Sequence, residues 1–137
     1  MRGRVKLVEG MRFFASADSS AGIVMDSGTD EGEVLGPSPM ETVMLAAGCC
    51  SAMDIVHILE KMRQPPQDLE IGLEAERAEE DPRVFTSLRI HYRLKGGGLK
   101  KDSVERAISL SVERYCSVSI MLKRAGVRIT TSFEILQ

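Results

Sequence analysis

Gly36-Pro-Ser-Pro-Met-Glu-Thr-Val-Met-Leu-Ala-Ala-Gly-Cys-Cys-Ser-Ala-Met-Asp-Ile-Val-His-Ile-Leu-Glu-Lys-Met-Arg63 is the stretch around which the rest of this chain must be arranged. Ser38 precedes Pro39, a residue tolerated at a first helical position, and Glu41 follows Ser38 by three, the spacing of a capping box. From Val43 to Met53 almost no polar side chain occurs on any face. A helix apolar all round is expected to be buried all round. Its middle (Ala46, Ala47, Gly48, Ser51, Ala52) is small enough to admit a second backbone closely, and Cys49 and Cys50 sit there. Pro65-Pro66 cannot continue the helix, which should end near Arg63.

On either side the pattern changes to period two. Arg4–Val8, Met11–Ser16 and Gly22–Asp26 read as three short strands of an antiparallel meander, with Asp18-Ser19-Ser20 a loop. Ser27–Gly36, polar and glycine-rich, reads as a mobile loop into the helix. After it, Leu69, Ile71, Leu73 and Ala75 alternate with polar residues, and Val84 to Leu94 alternates again beyond the Glu79–Pro82 turn. These make a hairpin, with Glu70, Glu74 and Glu76 on one arm and Arg89 and Arg93 on the other, placed for cross-strand ion pairs. Gly96-Gly97-Gly98 is a flexible joint and lacks the Lys-Ser/Thr of a phosphate loop. Asp102 with Glu105 opens a second helix, whose stripe runs Val104, Ala107, Ile108, Ser111, Tyr115, Val118, Leu122. Lys123-Arg124 and then Gly126 suit its C-terminus, and Val127–Ile135 closes the chain as a strand.

The outline is α+β: antiparallel sheets with two long helices, one domain over residues 1–137. A second copy is expected to cover what one monomer leaves open on the central helix, giving a homodimer. A net charge of −2 without a basic block argues against nucleic acid. Met1–Val8 holds no apolar signal core, and the Val43–Leu59 run, interrupted by Asp54 and His57, falls short of a membrane span. The expectation is a soluble, cytoplasmic protein, where three cysteines serve as buried, redox-active or metal-bound thiols rather than permanent disulfides.

Cys116 lies on the second helix. Were the two helices to cross at their small residues, the sulfurs of Cys50 and Cys116 would come within reach of a disulfide. Two meeting thiols suit peroxide reduction: one becomes a sulfenic acid, and the other condenses with it. The attacking thiolate needs an Arg or a helix N-terminus, because an apolar setting alone raises its pKa. His57 shares the face of Cys50 and is read as a satisfied helix histidine, and His91 as solvated. Zinc on Cys50, Cys116 and His57 has no recognised spacing, and no cofactor motif occurs. Cys49 is read as inert packing, Asp54 as a buried carboxylate in need of a partner, and the methionines as core or as the lining of an apolar pocket.

The stretch from Gly36 to Asp54 resembles the first cysteine motif of the OsmC/Ohr family, and Glu113-Arg-Tyr-Cys-Ser-Val-Ser119 resembles the second. The likeness, closest to the YhfA-like branch, covers nearly the whole chain. It implies an intertwined homodimer that reduces organic hydroperoxides at its interface and is regenerated by dithiols or lipoylated proteins. By the same likeness Cys50 attacks the peroxide, Cys116 resolves, and Glu41 and Arg12 (with Arg4 behind it) hold the thiolate and the peroxide. Glu41 stands one residue nearer the cysteine than the family's Glu, about 100° of helix rotation. Ser117 stands where a Pro often follows, leaving the second helix free to run unbroken through Cys116. Two other readings remain: a dimeric binding protein for an apolar ligand, and a thiol-based redox or electrophile sensor.

Overall fold

The computed structural model describes residues 1–19, 21–28 and 32–137. Ser20 of the first expected loop and residues 29–31 of the second lie outside them. The chain resolves into two compact units, Met1–Val43 and Met44–Gln137.

The first unit is the expected meander: β1 (Gly3–Glu9), β2 (Arg12–Ala17) and β3 (Gly22–Asp26), antiparallel and in sequence order. Every residue of β1 is exposed. Gly36 is required by space, since a Cβ there would run into the Val24 carbonyl. At its end the predicted capping box is formed. The Ser38 N–H donates to Glu41 Oε2 (2.7 Å), and the Glu41 N–H donates to Ser38 Oγ (3.3 Å). The Thr42 N–H then donates to the Ser38 carbonyl at 2.8 Å, starting helix α1 (Pro39–Lys61).

In the second unit β4 (Asp68–Arg77) and β5 (Phe85–Lys95) form the hairpin, with Glu70 opposite Arg93 and Glu74 opposite Arg89. Arg89 reaches Glu74 at 3.1 Å and Arg93 reaches Glu70 at 3.8 Å, so the ion pairs expected between the arms are present. β6 (Arg128–Leu136) pairs with β5 in parallel, so the second sheet, ordered β4-β5-β6, is mixed rather than antiparallel. A parallel pair needs a long crossover, and the helices between β5 and β6 supply it.

That crossover corrects the expectation of one unbroken second helix. It consists of α2 (Lys101–Leu110), a π turn over Ser111–Tyr115, and α3 (Ser117–Arg124). The Cys116 N–H donates to the Ser111 carbonyl at 2.8 Å, a bond spanning five residues instead of four. The extra residue rotates everything after it. Tyr115 therefore leaves the apolar stripe and is exposed, while Cys116 turns inward. Asp102 lies within the first turn of α2. The residue before the helix is Lys100, which has no side-chain cap.

The core gathers Ile55 and Leu59 of α1, Leu88, Ile90, Tyr92 and Leu94 of β5, and Val104, Ala107 and Ile108 of α2. α1 is not buried all round: only Ala47, Gly48, Ser51, Ile55 and Leu59 are enclosed. These recur every three or four residues, the stripe of a helix covering a sheet. Leu45 and Met53 remain exposed. At 23 residues α1 exceeds the Val43–Leu59 run and is, by length and composition, long and apolar enough to cross a membrane. Core helices pass the same test, and the inner stripe of α1 belongs to the core of the second unit.

Candidate active site

Cys50 is half-buried on α1, one residue before the enclosed Ser51. Cys116 is fully buried in the joint between the π turn and α3. Its backbone is extended (φ −69°, ψ 98°), and it is the residue that caps α3. The Ser119 N–H donates to Cys116 Sγ at 3.4 Å, as an N-cap side chain accepts from the third residue onward. The thiol proton has two acceptors to choose between, Ser119 Oγ at 3.1 Å and the Ala47 carbonyl at 3.8 Å. Burial pushes the Cys116 thiol up, and the two bonds it shares with Ser119 only partly offset this, with nearby Cys50 adding to the rise.

The sulfurs of Cys50 and Cys116 and a carboxylate oxygen of Asp54 all lie within 4.8 Å of one another. Asp54 follows Cys50 by four residues, one turn along the same helix face. The thiols predicted to work together thus face each other, and they have a carboxylate for company. Three donors make an incomplete tetrahedral set, and His57, read from the sequence as a helix histidine rather than a ligand, is not among them.

The partner of Asp54 is Ser111. The Ser111 hydroxyl donates to Asp54 Oδ2 at 3.0 Å. Ser111 Oγ is also 3.0 Å from Ser51 Oγ, which is 2.6 Å from the Tyr92 hydroxyl. Ser51, Tyr92 and Ser111 are fully buried. Burial pushes Tyr92 up to about 12, so its hydroxyl stays a donor. None of the three was singled out for chemistry from the sequence. The only signal was that polar residues recur on stripes that are otherwise core.

The other expected site residues, Arg12 and Glu41, lie in the first unit and have local partners there. Arg12 Nε donates to Asp26 at 2.9 Å and an Arg12 Nη to the Glu33 carbonyl at 3.1 Å. Asp26 is nearly enclosed and also accepts from the N–H groups of Gly28 and Leu35. The Gly28 bond first and the Arg12 guanidinium next hold its carboxyl below the usual range. Glu41 is likewise lowered, by the Ser38 N–H and hydroxyl of the capping box. Arg4 is exposed on β1. Cys49 is exposed in the single chain, not packed away, because it lies off the inner stripe of α1. His57 is exposed, and His91 is tied to Ser132 at 2.8 Å rather than simply solvated.

The model of the family described as OsmC-like protein matches residues 28–132. The chain belongs to the OsmC-like family. Among curated proteins, this OsmC-like chain is 47% identical to Protein YhfA of Escherichia coli K12 over 136 residues, covering 99% of the one and 98% of the other. Among solved structures it is similar to a hypothetical protein from Aquifex aeolicus VF5, at 29% identity and a TM-score of 0.84, covering 98% and 95% of the two chains. It shares its fold with an organic hydroperoxide resistance protein OsmC from Legionella pneumophila, at 16% identity and a TM-score of 0.70 over 98% and 97% of the two chains. The pair of cysteine motifs that carried the resemblance therefore belongs to an OsmC-like chain in which the two sulfurs are neighbours.

Proposed function

We propose that the protein is a thiol-dependent peroxidase that reduces organic hydroperoxides. The observation that carries this reading is the approach of the Cys50 and Cys116 sulfurs to within 4.8 Å, in a family with members named for hydroperoxide resistance. Cys50 is the half-buried and reachable thiol, while Cys116 is enclosed. The Cys50 thiolate attacks the terminal peroxide oxygen. The O–O bond breaks, the alcohol departs after taking up a proton, and Cys50 is left as a sulfenic acid. Cys116 then displaces the sulfenic oxygen as water, forming the disulfide. A dithiol, free or carried on a lipoylated protein, returns both thiols to the reduced state.

Beside Asp54 opens a cavity of about 570 Å³ lined by His57, Ile58, Lys61, Met62, Leu110 and Tyr115. Its mixed lining suits an apolar peroxide tail with a polar end, and Met62 adapts to irregular shapes. The same cavity supports the second reading, a binding protein for an apolar ligand with thiols that do not cycle. In the peroxidase reading Arg12 and Glu41 hold thiolate and peroxide, and Arg12 would have to exchange its Asp26 and Glu33 partners to do so. The homodimer is part of the proposal, supported by the uncovered Leu45 and Met53 of α1. So is a cytoplasmic location, in keeping with free thiols.

The test is consumption of cumene hydroperoxide with a dithiol reductant. Turnover that vanishes in Cys50→Ser supports the peroxidase. Full activity in that variant ends the assignment of the attack to Cys50, and none in the wild type ends the peroxidase in favour of the binding reading.

A further inference from the structure

The hydroxyl chain Tyr92–Ser51–Ser111–Asp54 has a direction. A carboxylate accepts and does not donate, so the Ser111 proton is committed to Asp54 Oδ2. Ser111 Oγ must then accept from Ser51, and Ser51 Oγ must accept from Tyr92. Each hydroxyl spends its one proton toward the next, and all three aim at Asp54. Such a chain fixes the carboxylate in place from behind, and cooperative polarisation strengthens each bond. In a core otherwise built of Ala, Ile, Leu and Val, three enclosed hydroxyls linked in one chain are more than packing requires. What lies in front of the fixed carboxylate is the pair of sulfurs, within 4.8 Å.

The buried Cys116 is held as a neutral thiol by its surroundings. A neutral thiol is a poor nucleophile, so formation of a disulfide needs a group to take its proton. Neither Ser119 Oγ nor the Ala47 carbonyl, its two hydrogen-bond acceptors, can carry that proton away as a base.

We propose that Asp54, held by Ser111, takes the proton of the Cys116 thiol as the disulfide forms and delivers it to the departing hydroxide. In the peroxidase reading, on which this form of the step rests, Cys116 Sγ attacks Cys50 Sγ. The S–S bond forms and the S–O bond breaks. The proton passes from Cys116 to Asp54 and then to the leaving oxygen, which departs as water. The role assigned to Asp54 therefore lies in resolution, where the Cys116 proton has to be removed. Ser111, Ser51 and Tyr92 are positioning residues that act through Asp54.

A disulfide exchange tests the step without peroxide. In a Cys49→Ser background, one equivalent of Ellman's reagent converts Cys50 to its mixed disulfide with release of one thiophenolate. Attack by Cys116 releases the second. In Asp54→Asn, which keeps an oxygen for Ser111, the second release, followed as its own phase once the first is complete, should slow about 10²-fold or more, the usual weight of a general base. The titratable groups around Asp54 are Cys50, His57 and Lys61 on α1, Tyr92 on β5, and Tyr115 and Cys116 at the π turn. Above pH 7 the parent's second phase should be nearly flat. That of Asp54→Asn should climb about tenfold per pH unit, as it comes to depend on free Cys116 thiolate. Asp54→Glu should recover part of the rate.

A second phase in Asp54→Asn within threefold of the parent, with the same pH profile, would overturn the role of Asp54. Thiols inert to hydroperoxide alongside a slowed second phase would instead sink the peroxidase reading and leave the proton acceptor standing.

Discussion

The Ser119 N–H donates to Cys116 Sγ across 3.4 Å, which makes a cysteine the N-cap of α3. The sulfur thereby serves two ends, closing an orphan backbone donor and facing Cys50. Cys116→Ser should preserve the first and abolish the second. Thermal unfolding of Cys116→Ser is expected to stay close to the wild type, whereas Cys116→Ala, which leaves the Ser119 N–H without its acceptor, should lose about 1 kcal/mol. In both variants a sulfenic acid on Cys50 should persist long enough to be trapped by dimedone.

Tyr92→Phe removes one oxygen and keeps the ring. The Ser51 hydroxyl would still reach Ser111 but lose the donor 2.6 Å away, in a fully enclosed place. Urea unfolding should show a loss of about 1–2 kcal/mol, the cost of a buried hydrogen bond with one group left short of a partner. A smaller loss would mean that water or rearrangement replaces the hydroxyl. The same variant should slow disulfide formation less than Asp54→Asn does, because it acts two hydroxyls away.

Asp26 makes the first unit acid-sensitive. Its carboxyl is lowered in the folded chain, so its contribution is fully present above the ordinary value of 3.8 and is lost as pH falls through the lower, folded-state value. At pH 7, Asp26→Asn should unfold at a lower urea concentration than the wild type. Below pH 3.8 the two midpoints should converge. A gap that does not narrow as the pH is taken down from 3.8 would mean that packing, rather than charge, makes Asp26 stabilising.

The uncovered face of α1 supports a test of assembly. Sedimentation equilibrium is expected to give twice the 15.1 kDa chain mass. Leu45→Glu with Met53→Lys, placed on exposed positions of α1, should give the monomer mass. A wild type that sediments at 15.1 kDa would remove the dimer from the account.

Much of this structure could be read before it was seen, where the signal is local. Ser38 and Glu41 announce a capping box three residues apart, and the box is there. The alternation of Glu70 and Glu74 against Arg89 and Arg93 announces a hairpin and its ion pairs. Gly126 follows the last helix at φ +93°, where glycine is at home. What escaped depends on distance or on geometry without a composition. The π turn inserts one residue of rotation between Ser111 and Tyr115 without a proline or glycine to mark it. Strand alternation carries no direction, so β6 gave no hint that it pairs in parallel with β5. The apolarity of α1 says that a face will be covered, not by whom. Asp54 asked for a partner, but Ser111 is 57 positions away and becomes that partner only through the crossover.

The measurement that bears most directly on the central claim is a peptide map of the protein after one equivalent of cumene hydroperoxide, with free thiols alkylated before digestion. The account expects rapid loss of two thiols, a Cys50–Cys116 cross-linked peptide, and Cys49 still alkylated. Cys50 and Cys116 both recovered as alkylated thiols would contradict it.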